Sequence, residues 1–221
     1  MKEVANMTRI IGISGKPGSN KMFYAFRIIR ELRLRGYTTD WISLAKPLYD
    51  ELNHIADQVK KEEGIEKIIE ENNLDIRGFK LIELLNPELI GEKNPEYGYS
   101  RRNKYFRAAM SVLGTEIRRE QDPEYFLKKL DEQTKDLDFA ILTDLRFPNE
   151  ADYISLNHGM TIRVNVFNEE NKDGGYKYNE GLNSITETSL DDYPMFDYEF
   201  YPEFFNGKDF GTELEKFFKL P

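Results

Sequence analysis

The chain has 221 residues, with 40 acidic against 31 basic side chains for a net charge of -9, 39% hydrophobic residues and no cysteine. That balance excludes broad nonspecific binding to nucleic acid, whose affinity comes mainly from neutralising phosphates. The lack of thiols excludes a disulfide framework and any thiolate metal centre, and two isolated histidines, His54 and His158, read as surface residues rather than zinc ligands. The 15 Phe and 13 Tyr supply large apolar bodies, enough for the core of one domain or of one domain carrying an inserted lid. The first nine residues lack the apolar run of a signal peptide and no stretch is long enough to cross a bilayer, so the expected location is the cytoplasm, with no membrane partner.

Residues 10–14 read as a short buried strand, and the turn after them is rich in Gly, Pro and Ser. A helix follows with Ala25, Ile28, Ile29 and Leu32 on one face, and Gly36 is its natural stop. The turn from Gly15 to Lys21 has the spacing of a phosphate-binding loop, G-x-x-x-x-G-K-[ST], with two departures: Asn20 replaces the second glycine and Met22 the hydroxyl residue. Such a loop cradles an anion with successive backbone N–H groups and the positive end of the next helix, which needs small or φ-permissive residues. Gly15, Gly18 and Ser19 meet that need, and asparagine is the non-glycine residue most at ease with positive φ, so Asn20 keeps the backbone path open. Lys21 is the mobile charge for terminal phosphates. Met22 offers only a soft thioether, which does not bind a hard cation such as Mg²⁺; the metal must be held by waters, the nucleotide, Ser19 or a carboxylate from elsewhere.

Further along, residues 37–44 are a second strand, followed from about Pro47 by a Lys- and Glu-rich helical stretch whose charge runs, 60–63 and 66–71, read as solvated faces. Residues 86–98 read as a loop. After it come Arg101, Arg102 and Lys104, then a helix with an apolar line of Phe106, Met110, Leu113 and Ile117, on which 3.6 residues per turn sets Arg107 nearly in line with Arg118. Residues 139–143 form a continuous apolar run ending in Asp144, the pattern of a buried parallel strand with a carboxylate at its end, as in a Walker B site. A short helix and a strand at 161–167 follow, then a segment at 168–182 that reads as a lid loop, an aromatic tail, and a last helix at 211–218. Strands alternating with helices predict an α/β fold around a mostly parallel sheet, with the polar clusters at the carboxyl ends of its strands.

The residues Ala140-Ile-Leu-Thr-Asp-Leu-Arg-Phe-Pro-Asn-Glu-Ala-Asp152, with Leu113-Gly-Thr-Glu-Ile117 and the loop Gly15 to Lys21, resemble the deoxynucleoside monophosphate kinases of tailed bacteriophages. Thr186-Glu187 stands where that family has a Ser-Glu pair, and Ser43-Leu-Ala-Lys-Pro-Leu48 is similar to its stretch after the second strand. The resemblance covers nearly the whole chain in order. It implies a three-layer P-loop kinase of the nucleoside monophosphate kinase type, with a helical acceptor-binding insertion at 45–105 and a possible homodimer in the host cytoplasm. The implied reaction is transfer of phosphate from ATP, with Mg²⁺, to a deoxynucleoside monophosphate. By the same resemblance Gly15, Lys16, Gly18, Ser19, Asn20, Lys21 and Met22 form the donor cradle, and Lys21 holds the transferring phosphate. Asp144 holds Mg²⁺, and Arg146 meets the acceptor's phosphate or base. Arg102 and Arg118 supply acceptor or transition-state charge, and Glu150 positions Arg146. Where the family has G-K-D-[ST], this chain has Asn20-Lys21-Met22-Phe23. That departure leaves three readings open: a kinase retuned to its own loop, transfer on an unusual nucleotide, or a nucleotide-binding protein without catalysis.

Overall fold

A computed structural model describes residues 8–165 and 188–200. The expected lid at 168–182, the Thr186-Glu187 pair and the last helix lie outside the described residues. The chain divides into two compact units, one of residues Met1–Ser43 and Asp131–Pro221 and the other of Leu44–Leu130. No helix among the described residues is long and apolar enough to cross a membrane.

The first unit is built on five parallel strands: β1 (Arg9–Ser14), β2 (Thr39–Ile42), β3 (Phe139–Leu142), β4 (Met160–Val164) and β5 (Tyr198–Phe200). Their order in the sheet is β2-β3-β1-β4-β5. Helix α1 (Lys21–Leu34) carries the chain from β1 towards β2, and the helix Pro148–Leu156, α9 in chain order, carries it from β3 back across β1 to β4. These crossovers run in opposite directions along the sheet, and right-handed connections of opposite direction cover opposite faces. Strand periodicity makes the same division. Ile11 and Ile13 of β1, Phe139 and Ile141 of β3, and Met160, Ile162 and Val164 of β4 pack in one core with Ala25, Ile28, Ile29 and Leu32 of α1. Gly12 faces the other way, where a side chain would strike Ile154 of α9 and Leu145. The result is the expected three-layer α/β sandwich. Strand β5 was not expected: Tyr-Glu-Phe is too short to show a period, and only its pairing with β4, Ile162 to Tyr198 and Val164 to Phe200, makes it a strand.

Helix α1 ends as its sequence predicts. Gly36 takes φ 88°, its N–H donates to the Arg33 carbonyl at 3.0 Å, and the Tyr37 N–H donates to the Leu32 carbonyl at 3.2 Å. This paired closure satisfies carbonyls that the helix end would leave open.

The second unit is helical. Helix α2 (Lys46–Lys60) buries Leu48, Tyr49, Leu52, Ile55 and Ala56 on one face. Around it lie α3 (Ile65–Glu71), α4 (Gly78–Leu84), α5 (Pro87–Ile90) and α6 (Lys104–Ser111). The stretch expected to be a loop at 86–98 thus contains a helical turn, capped by the Asn86 side chain, which accepts from the Glu88 N–H at 2.9 Å. The unit extends beyond the expected insertion at 45–105 because α6 and the residues after it pack on α2 and α4. Past α6 the helix widens to a π-helix over Val112–Arg118, the Leu-Gly-Thr-Glu segment, then continues as α7 (Arg119–Gln121) and, after a turn, α8 (Tyr125–Thr134). Gly114 lets α2 come close, since a Cβ there would lie 2.8 Å from Leu48 Cδ2. The widening also breaks the 3.6 spacing, so Arg107 and Arg118 do not share a face: Arg107 is exposed and Arg118 is buried.

Replacing Gly36 by Ala forces a Cβ into the left-handed region and is expected to destabilise the protein by about 1 kcal/mol; a calorimetric Tm unchanged from wild type would contradict this account of the α1 terminus.

Candidate active-site cleft

Parallel pairing brings the strand ends together. Gly12 lies opposite Leu142, Ser14 opposite Arg163, and Ile42 opposite Leu142. The residues just past β1 and β3 therefore share one edge of the sheet with the end of β4. There they line a small cleft whose polar walls are Ser14, Gly15, Lys21, Asp144, Arg146 and Arg163.

The loop follows its glycine pattern for a steric reason at Gly15, where a Cβ would lie 2.5 Å from the Val164 carbonyl oxygen of the neighbouring strand. Gly18 has φ 85°, and Asn20 takes φ 58° and ψ 29°, so asparagine occupies the left-handed position in the turn before α1. No side chain caps the N-terminus of α1. The Lys21 ammonium folds back onto the loop, donating to the Gly15 carbonyl and to the Lys16 carbonyl at 3.1 Å. The Ser19 hydroxyl is buried inside the loop and has no hydrogen-bond partner. Buried polar atoms are nearly always paired, so a lone one in such a loop is where an incoming donor or acceptor fits. Met22 opens α1 beside Lys21 and brings no oxygen.

Asp144 is half-buried and accepts a hydrogen bond from the Ser43 hydroxyl at 2.7 Å, across the β2–β3 strand ends. One residue earlier, the Thr143 hydroxyl accepts from Trp41 Nε1 at 2.9 Å. Arg146 is exposed at the mouth of the cleft. Glu150, 1% exposed, accepts from the backbone N–H groups of Arg146 at 2.9 Å and Phe147 at 3.1 Å. Pro148 at the first helical position and Glu150 at the third start α9 two residues after Arg146, which ties the arginine's main chain to a rigid helix end.

Arg163, in the wall of the cleft, and Asp191, which pairs with it, were not read from the sequence. Arg163 of β4 has a side chain only 12% exposed, donates to the Ser14 hydroxyl at 2.9 Å and pairs with Asp191 at 3.0 Å. Asp191 also pairs with Lys16 of the loop at 2.5 Å. The available signal was a lone charge in Met-Thr-Ile-Arg-Val, an otherwise buried strand, where a long cation needs an internal partner. Asp191 had no such signal, because its position comes entirely from the fold.

The other two predicted arginines belong to the second unit. Arg102 is exposed in the turn before α6. Arg118 is 6% exposed, and its guanidinium has spent every N–H inside that unit. Nε donates to Glu51 at 2.9 Å, Nη1 to the Asn73 carbonyl at 3.0 Å and Gln121 at 2.7 Å, and Nη2 to the Asn72 carbonyl at 2.5 Å and to Glu51. A planar fork with five donors so engaged ties α2, the turn after α3 and the end of the π-helix together. In this arrangement no N–H is left for a phosphate.

Tyr125 completes that cluster, donating to the other Glu51 oxygen at 3.0 Å. Burial first, and then the Glu51 charge, pushes its hydroxyl up to about 12, against about 10 in an unfolded chain. Between those values the unfolded state releases the proton that the folded state keeps. This contribution to stability is therefore intact below about pH 10 and lost as the pH rises towards 12. Tyr125→Phe is expected to flatten the alkaline fall in stability measured by urea unfolding at a series of pH values; an unchanged slope would show that Tyr125 is not buried against Glu51.

Among the described residues no group of three or more acidic or histidine side chains gathers as a metal site. No family model matches the chain, and no curated protein is similar to it. Among solved structures, it is matched to a shikimate kinase from Bacteroides thetaiotaomicron at 12% identity and a TM-score of 0.39, over 96% of this chain and 99% of that one. The strand order, the loop between β1 and α1 and the carboxylate after β3 make this a P-loop kinase-like α/β fold.

Proposed function

We propose that the protein transfers the terminal phosphate of ATP to a deoxynucleoside monophosphate, by way of the cleft at the ends of β1, β3 and β4. The observation that carries the reading is the meeting of Gly15, Lys21, Asp144 and Arg146 along one sheet edge. Phosphoryl transfer asks little covalent work of a protein; it needs charge and position. The loop's backbone and the uncapped start of α1 receive the donor's phosphates, and Lys21, exchanging its bonds to the loop carbonyls for phosphate oxygens, follows the charge of the moving group. Arg146 meets the acceptor, with Glu150 holding its main chain. The substrate class comes from the resemblance to phage kinases in Asp144-Leu-Arg-Phe-Pro-Asn-Glu150 and Leu113-Gly-Thr-Glu116.

The donor set suits Mg²⁺ through oxygen alone. The Asp144 carboxylate and the partnerless Ser19 hydroxyl are hard ligands in or beside the loop, whereas Met22 is not. Asp144 would hold the ion with the nucleotide's own oxygens, and the ion would neutralise charge on the phosphates. Arg118 is left out of the machinery, because its donors are engaged within its own unit.

A second reading, a nucleotide-binding protein without catalysis, is favoured by one observation: Met22 brings no oxygen to the first turn of α1. The two are separated by ADP formation from ATP and Mg²⁺ across a panel of deoxynucleoside monophosphates that includes 5-substituted pyrimidines. A kinase is expected to turn over one or a few of them, and Lys21→Ala to lower the rate by about three powers of ten or more while leaving the Tm near wild type. Full activity in Lys21→Ala would remove the loop from the mechanism. The paired change Asn20→Gly with Met22→Thr is expected to raise Mg²⁺-dependent ATP affinity in a silent protein and to change little in a kinase adapted to its own loop; titration calorimetry reads the difference.

A further inference from the structure

Asp191 is in contact with two cations at once, one in the loop and one in the wall of the cleft. Its oxygens lie 2.5 Å from Lys16 Nζ, in the phosphate loop, and 3.0 Å from the Arg163 guanidinium, on β4. Arg163 is also fixed by Ser14, the last residue of β1, and its guanidinium lies 5.7 Å from the centre of the Phe196 ring. It is thus an aimed and nearly buried cation in the wall of the cleft rather than a solvated surface charge. A carboxylate that bridges a loop lysine and a wall arginine makes the contacts a phosphate group would make there, with less charge.

We infer that Lys16 and Arg163 form a second phosphate-binding subsite beside the Lys21 cradle, and that Asp191 fills it as an internal counter-ion which a polyphosphate must displace. The inference rests on the loop binding a nucleotide and names what else that nucleotide touches. Asp191 is a half-exposed acceptor and so is displaceable, since pairs of that kind are individually weak. Arg163 stays in place when the carboxylate leaves, because Ser14 and Phe196 still hold it. The ligand expected is a polyphosphate, because a chain of phosphates carries enough oxygens and charge to contact Lys21 and the Lys16–Arg163 pair together.

The test is titration calorimetry of the full chain with ATP and, separately, with inorganic tripolyphosphate. Removing the counter-ion by Asp191→Asn is expected to tighten both by about three- to fivefold, the scale of one exposed ion pair. Losing the subsite by Arg163→Gln is expected to weaken both by about tenfold or more, with Arg163→Lys recovering part of the loss and circular dichroism verifying the fold of each. In the double variant the gain from Asp191→Asn should shrink, because only Lys16 of its two partners remains. Unchanged or weaker binding in Asp191→Asn would overturn the inference, as would a gain that is undiminished in the double variant. If ATP binding is lost in Lys21→Ala but indifferent to Asp191 and Arg163, the subsite is refuted and the loop reading stands. If neither wild type nor Asp191→Asn binds either probe, both are refuted.

Discussion

The position of β1, hydrogen-bonded between β3 and β4, is the constraint from which the cleft follows. Parallel register sets Gly12 against Leu142 and Ser14 against Arg163, so the loop after β1, the carboxylate after β3 and the cation of β4 arrive at one edge. The same closeness dictates residue type. The Val164 carbonyl would lie 2.5 Å from any Cβ at Gly15, and only glycine allows β1 to end in a turn against its neighbour. Packing behind the sheet maintains the pairing: α1 seals one face with Ile28, Ile29 and Leu32, and α9 covers the other through Ile154.

Charge in the cleft is balanced internally almost throughout. Lys21 rests on loop carbonyls, Lys16 and Arg163 share Asp191, and Asp144 accepts from Ser43. Such pairing is what taking charges partly out of water demands. The Ser19 hydroxyl departs from it, buried and without a partner in the middle of the loop. The acceptors on the cations, two carbonyls and the Asp191 carboxylate, are ones that a phosphate oxygen could replace. The arrangement is therefore stable by itself and still receptive to a polyanion.

The second unit handles its charge differently. Arg118 binds Glu51, two main-chain carbonyls and Gln121, and Tyr125 takes the remaining Glu51 oxygen. The cluster joins α2 to the end of the π-helix, beside other polar links of the unit such as Gln58 to Glu71 and Lys80 to Glu116. The π-helix at Val112–Arg118 is what turns Arg118 inward to reach these partners while Arg107 stays in water. A segment that reads as a substrate motif thus also does a packing task, with Gly114 admitting Leu48.

Much of this was legible in the chain itself. The buried runs at β1 and β3, the apolar face of α1, its stop at Gly36 and the left-handed tolerance of Asn20 are local properties. They depend on side-chain period and backbone sterics, which residue order determines. Strand β5, the inward turn of Arg118, and the bridging of Lys16 and Arg163 by Asp191 were decided only by tertiary structure. Each depends on a partner far away in sequence or on a change of helical pitch, and neither leaves a periodic trace. Residue order therefore determined which segments could build a phosphate loop on an α/β sheet. The fold alone decided which charges that loop would face, because electrostatic partners are set by distance in space and not by spacing along the chain.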